Sequence, residues 1–313
     1  MVFRTLLLNS RKTDRDPLCP ITSSWSVWRR GLAAFALSAV CALTASAQET
    51  NLTARQVIDR IQKNVGVPWR SETVDTFKAG DPDTPVTGIA VTMMATYEVL
   101  QKAAASGKNL IITHEPTFYS HLDRTDELTN DPVFQAKEAF IKEHHLVVWR
   151  FHDHWHAHPP DGIQVGMIRA LGWEKYQTPE NNHLFVLPST RLENLAADVK
   201  KRLNVRTLRV VGDPGMKVTK AALIPGAAGP ATHRRALERD DVEVLLIGEV
   251  PEWETIEYVA DATAEGKHKA LILIGHIPSE QAGMEECARW LRTFITETPV
   301  EFVAASEPFW QPQ

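Results

Sequence analysis

Four of the chain's twelve histidines crowd into "RFHDHWHAHPP" (Arg150 to Pro160), at the alternating positions His152, His154, His156 and His158. That spacing serves three arrangements: a solvated metal-scavenging tract, a strand with one imidazole-lined face, or part of a metal site completed by distant residues. Two further clusters offer the same chemistry. His114 and Glu115 follow the apolar run "NLIIT", and His276 follows "LILIG" with Glu280 four residues beyond. Taken singly, His114-Glu115 also suits a strand-end turn, and Glu280 suits the amino end of a helix, where the dipole favours a carboxylate. Taken together, the imidazoles and carboxylates form a donor set for Zn(II), Fe(II) or Mn(II), and a bridging carboxylate lets two cations sit side by side. One or two such divalent ions lower the pKa of a water and clamp an oxyanion.

The elements that must position these groups follow a simple cycle. Ala54 to Gly66 has apolar residues at helical spacing and a glycine stop. "VTGIAVTMM", "NLIIT" and "LVVWRF" read as strands, separated by a helix over 95–106 and a second, proline-led helix in "NDPVFQAKEAFIKEHH". After a middle stretch with the strands "LFVL" and "TLRVV", the strands "KAALIPG", "VEVLLIG" and "KALILIG" alternate with helices over 231–239, 252–265 and 279–296. This alternation predicts an α/β fold of two lobes with mainly parallel sheets. The N-terminal lobe spans 48–178, a connecting segment 179–209, and a C-terminal lobe 210–313 completes the metal site. His114, His152 and His276 each stand where a strand ends, and ligands of open α/β sheets collect beyond the carboxyl ends of strands.

Lesser features fall near the same ends. Glu249, after "LLIG", is a candidate catalytic base, and "PGAAG" (Pro225 to Gly229) before a helix is a candidate phosphate cradle. Trp149, Trp155 and Trp253 are candidates to stack on a planar substrate, with core packing favoured for Trp149. Asp153 is placed to fix an imidazole tautomer, His154 stands beside His152 as a further ligand candidate, and His158 beside Pro159-Pro160 is peripheral.

The first residues have another purpose. Arg29-Arg30, an apolar run from Gly31 to Ala42 and the small residues Ala45-Ser46-Ala47 form a cleavable signal peptide over 1–47. The protein is therefore expected in the periplasm, with no stable membrane anchor after cleavage. Loss of the six basic and two acidic residues of 1–47 moves the formal charge from −5 to −9. An acidic chain without a Lys/Arg cluster excludes nucleic acid as a partner. Cys287 alone survives cleavage, so core packing or metal, not an internal disulfide, must hold the fold.

The blocks "GDPDTPVTGIAV", "NLIITHEP", "FHDHWHAHPPDGI", "LLIGE" and "ILIGHIPSEQAGMEECARWL" resemble the NGG-interacting-factor-three-like dinuclear metal-centre family, many of whose members are known as GTP cyclohydrolase I type 2 homologues. The resemblance runs over about residues 54 to 305. It implies two similar lobes with a metal cleft between them, and a homo-oligomeric ring, often a hexamer. It also implies two metals held by a Thr-His-His-Pro motif, by the Asp of a His-Thr-x-Leu-Asp motif, and by a final His and Glu. His114, His276 and Glu280 match that pattern. Glu115 replaces the second histidine, and His156 replaces the aspartate when His152 takes the leading histidine. Ligand number is kept while ligand types are exchanged. Because a neutral histidine does not normally bridge two metals, Glu280 or Glu115 must bridge, or one ion is held.

The expected function is a metal-dependent hydrolase acting on a small-molecule substrate, heterocyclic or phosphorylated, through a metal-activated water. The alternative is a non-catalytic metal-binding scaffold or metal-handling protein.

Overall fold

The computed structural model describes residues 52–312, and the signal peptide expected over 1–47 lies outside them. The described chain begins at a capping box, in which Thr53 and Gln56 each satisfy the other's backbone N–H ahead of α1 (Ala54–Asn64). There follow β1 (Phe77–Ala79), β2 (Ile89–Thr92), α2 (Tyr97–Ala105), β3 (Leu110–Thr113), α3 (Pro132–Glu143) and β4 (Val147–Arg150). The chain continues through α4 (Asp153–Ala157), α5 (Gly162–Leu171), β5 (Gln177–Thr178), β6 (Asn181–Arg191), α6 (Leu192–Arg202) and β7 (Arg209–Val211). It ends with β8 (Lys217–Ile224), α7 (Pro230–Leu237), β9 (Val244–Ile247), α8 (Glu257–Ala264), β10 (Ala270–Leu273), α9 (His276–Leu291) and β11 (Val300–Phe302). No helix among the described residues is long and apolar enough to cross a membrane.

Two lobes share one plan. In the first sheet, ordered β1-β4-β3-β2-β11, strands β2, β3 and β4 run parallel through the helical crossovers α2 and α3, and β1 lies antiparallel beside β4. In the second, ordered β5-β6-β8-β9-β10-β7, strands β8, β9 and β10 repeat that arrangement and β7 lies antiparallel beside β10. Every residue of β2, β3, β4, β9 and β10 is buried, as continuous apolar runs covered on both faces require. The first sheet is mainly parallel. The second is mixed, because β6 joins β8 antiparallel.

The stretch 179–209, read from sequence as a connector, supplies all of β6 and α6 and the first residue of β7. Its apolar residues Leu184, Phe185, Leu192, Leu195 and Val199 are buried in the second lobe's core. Residues 300–302, expected in the C-terminal lobe, form β11 and extend the first sheet beside β2. The helix expected over 252–265 is broken by a π-turn (Glu252–Ile256) with non-helical backbone at Glu254.

α5 and α9 cross in direct backbone contact. A Cβ at Gly166 would overlap the carbonyl of Ala282, and one at Gly283 would overlap Ile163 Cα, so only glycine permits this approach. The same core buries Trp149, Phe151 and Trp155. Truncating one of these aromatics to alanine would cost about 3–5 kcal/mol.

Candidate metal centre

Beyond β4 the histidine tract coils into the short helix α4, and Asp75 makes it do so. One carboxylate oxygen of Asp75 accepts from the N–H groups of His152 (2.6 Å) and Asp153 (3.0 Å). The other accepts from His154 N (2.8 Å) and His154 Nδ1 (2.7 Å). A strand would turn all four histidines to one side; a helix, at about 100° per residue, keeps His152 and His156 together and sends His154 away. His154 therefore leaves the ligand candidates. Its ring stacks on Trp69 with centroids 3.6 Å apart, and its Nε2 accepts from the N–H of Arg70 at 3.0 Å. His158 is half-buried against Trp155 and Trp290, with Nδ1 bonded to the Pro160 carbonyl.

The other candidates converge. Ligand atoms of His114, His152 and His156 lie within 4.8 Å of one another, as do those of His114, Glu115 and Glu280. His276 Nε2 joins them, 3.2 Å from Glu280 Oε2 and 3.4 Å from Glu115 Oε1. α9 begins at His276, three residues earlier than expected, so His276 and Glu280 sit one turn apart on one helix face. Glu280 occupies the middle: Oε2 is 3.7 Å from His114 Nε2, and Oε1 is 3.9 Å from His156 Nε2.

Each inner histidine is oriented in the same way, with Nδ1 held by an oxygen acceptor. His114 Nδ1 meets the Phe151 carbonyl (3.0 Å), His152 Nδ1 meets Asp153 (3.0 Å), His156 Nδ1 meets Asp161 (3.0 Å), and His276 Nδ1 meets Glu249 (3.1 Å). An Nδ1–H that donates outward leaves the Nε2 lone pair for a metal. For His114 that lone pair is buried and has no hydrogen-bond partner, and Oε2 of Glu280 is likewise buried without one. Two buried acceptors turned toward each other are unfavourable by about 1–3 kcal/mol each unless something positive lies between them. The donor set thus fits a divalent cation.

The local electrostatics agree. Burial favours a neutral His276, yet the carboxylates of Glu115, Glu249 and Glu280 gathered around its ring push its pKa up to about 12. Burial, with His152 and His156 nearby, drives His114 far down. Burial would raise the Glu115 carboxyl, but His276, His152 and Arg150 hold it below the usual range. Asp153, despite partial burial, is lowered to about 2 by bonds from His152, Thr73 and the Val74 N–H. The cluster carries more carboxylate charge than its own imidazoles balance without capturing a proton.

Three groups that sequence reasoning missed hold this arrangement. Arg150, fully buried, donates to the carbonyls of His114 and His121 and to Glu115 Oε2 (3.2 Å). A charged residue inside "LVVWRF" was the available signal. Asp161 caps α5 through Oδ1 and orients His156 through Oδ2. Its place before a helix marks the cap but not the second task. Asp75, in a turn-rich stretch, carried no local signal. The "PGAAG" loop packs on Glu280: Gly226 has φ of 68°, a Cβ there would overlap Glu280 Oε1, and its N–H donates to Ser279 Oγ.

One side of the cluster opens. A cavity of about 350 Å³ is lined by His276, Glu249, Arg209, Thr207, Phe309 and Gln311. Glu249 is 58% exposed there and its pKa is lowered chiefly by its bond from His276. Of the tryptophans weighed as stacking groups, Trp149 is core, Trp155 is buried with Nε1 donating to the Gly283 carbonyl, and Trp253 is on the surface. The aromatic ring at the cavity is Phe309.

The same fold recurs in known proteins. The sequence model of the Duf34/NIF3 (NGG1p interacting factor 3) family matches residues 53–308. A GTP cyclohydrolase 1 type 2 homolog of Clostridium acetobutylicum is 24% identical, covering 64% of this chain and 75% of its own. One of Chlamydia pneumoniae is 24% identical over 74% of this chain and 90% of its own. Among solved structures, Staphylococcus aureus protein SA1388 superposes with a TM-score of 0.65 at 17% identity, over 84% of this chain and 100% of that one. A Bacillus cereus protein related to NIF3 gives 0.65 at 14% identity over the same shares. These structures share the fold.

Proposed function

The chain belongs to the Duf34/NIF3 family, and from that premise we propose that it is a metal-dependent hydrolase of a small exported-compartment substrate. The observation that carries this reading is the open side of the donor cluster, where His276 and Glu249 border the 350 Å³ cavity. A scaffold holding a structural ion closes its coordination shell with protein groups, whereas a catalytic site keeps a position for water or substrate.

His114, His152, His156, His276, Glu115 and Glu280 would hold one or two divalent ions, Zn, Fe or Mn. When bound, such an ion lowers the pKa of water and polarises a C=O, C=N or phosphoryl group. The chain's own groups do the rest. Arg150 keeps Glu115 ionised and fixed. Glu249 orients His276 through Oε1 and has Oε2 left to accept the proton lost as water adds to the substrate. The curated relatives carry the name GTP cyclohydrolase 1 type 2 homolog. Export through the signal at 1–47 would favour a substrate other than GTP, which is scarce outside the cytoplasm, and a homo-oligomeric ring belongs to the same reading.

The test is elemental analysis of the purified protein, followed by ester, phosphoester, amide and nucleotide substrates with and without chelator. A chelator-sensitive turnover lost in His276→Ala is expected. Stoichiometric metal without turnover on any substrate would overturn the hydrolase and leave a metal-binding scaffold.

A further inference from the structure

The described chain does not end at β11. Residues 303–312 leave the first sheet and run to the second lobe, where they are fastened. Ala305 N donates to Gln281 Oε1 at 2.9 Å. The Glu307 carboxylate accepts from the N–H of Arg206 (2.6 Å) and of Thr207 (2.9 Å), and from the Thr207 hydroxyl. A carboxylate gripping two successive backbone N–H groups is a strong anchor. Just beyond it, Phe309 and Trp310 are 62% and 73% exposed, and Phe309 forms one wall of the cavity beside His276.

The opposite character stands nearby. The pairing of β7 with β10 places Arg209 opposite Leu273, three residues before His276. Arg209 lines the same cavity and an adjoining one of about 440 Å³ that also contains Glu249. Its partner is Glu252 at 2.8 Å, and the two side chains are 60% and 74% exposed. Such surface pairs are worth only about 0–1 kcal/mol, so a ligand anion displaces one readily.

We propose that the C-terminal strap and Arg209 form the substrate-recognition half of the site, selecting a small molecule with a planar ring and an anionic group. The ring stacks on Phe309, the anion pairs with Arg209, and the reacting group lies toward His276 and Glu249. Glu307 is a positioning residue that holds the strap. This deepens the hydrolase reading and rests on it for the direction in which the substrate lies, while the binding pocket itself is tested apart from turnover.

Three probes separate the contributions: phenylphosphonate (ring and anion), methylphosphonate (anion only) and benzyl alcohol (ring only). Each is titrated calorimetrically into the purified protein, as isolated and after chelation. Phenylphosphonate is expected to bind most tightly in both states. Arg209→Gln should weaken phenylphosphonate about tenfold or more and leave benzyl alcohol unchanged. Phe309→Ala should weaken both ring-bearing probes by about threefold to tenfold. Glu252→Gln, which frees Arg209, should tighten phenylphosphonate by about two- to threefold. Glu307→Ala should mimic Phe309→Ala with metal content unchanged. Equal binding of the three probes, no binding of phenylphosphonate to wild type, or wild-type binding by both Arg209→Gln and Phe309→Ala would overturn the proposal. If this pattern appears in a protein that takes up no divalent ion even when titrated with one, the hydrolase reading fails and the pocket stands. Metal-dependent turnover indifferent to Arg209 and Phe309 does the reverse: the hydrolase stands and the pocket proposal fails.

Discussion

His114 Nε2 and Glu280 Oε2 face each other across 3.7 Å, both buried, with no hydrogen-bond donor between them. Metal should relieve that opposition. At about 100 times Kd a bound ion stabilises by about 2.7 kcal/mol, so wild-type Tm should rise by roughly 5–10 °C on adding Zn(II) or Mn(II). Glu280→Gln loses the charge that draws the cation. Its metal content should fall well below wild type and its thermal shift should vanish. A full shift in that variant would remove Glu280 from the ligand set.

Asp75 sets the helix that presents His152 and His156. Asp75→Ala strands three backbone N–H groups and His154 Nδ1. It should destabilise the protein by about 2–4 kcal/mol and weaken metal binding as well. His154→Ala is the control, because both its ring nitrogens are spent on Asp75 and Arg70. That variant should lose stability yet, where folded, keep its metal. Metal titrations followed by thermal melts of the two proteins decide the matter.

Glu280 lies between His114 and His276 on one side and His156 on the other. His156→Asp restores a carboxylate where the family pattern has one, and gives a second cation a charged ligand. Elemental analysis should find metal per chain moving toward two. Unchanged occupancy would argue against His156 as a ligand.

His233 makes a separate pH prediction. Burial lowers its pKa to about 4, and its Nε2 has no partner. The unfolded ring, near the ordinary value of about 6.5, binds a proton that the folded ring refuses. Stability from this residue is present above about pH 6.5 and is lost as pH falls toward 4, with a slope of up to about 1.4 kcal/mol per unit. Urea midpoints measured in chelator between pH 4 and 7 should fall less steeply in His233→Gln than in wild type. Parallel curves would assign the acid sensitivity elsewhere.

Much of this was legible in the chain itself. All the parallel strands except β11 announce themselves as apolar runs, and the inner ligands stand at their ends, so residue type and place in the cycle suffice. What positions the ligands was not legible, because the partners are remote: Asp75 reaches His154, Arg150 reaches Glu115, and Glu249 reaches His276 only once the sheets have formed. α4 has five residues, too few for a helical period to show against alternating histidines. The helix expected from Ser279 begins at His276, because Pro278 is accommodated in the first turn of α9, where no N–H partner is lost. β1 and β11, three residues each, exist through tertiary pairing alone.

The first sheet's outermost strand is made last. β11 pairs with β2 across more than two hundred residues of intervening chain, and α9, which brings His276 and Glu280, emerges just before it. During translation the amino-terminal half must therefore wait with β2's flank bare, and an unpaired flank invites other chains to add to it. A premature stop after β10 would yield a product that keeps four of the six donors yet lacks both its remaining donors and its sheet edge, so quality control would meet a sticky fragment with an unfinished cage.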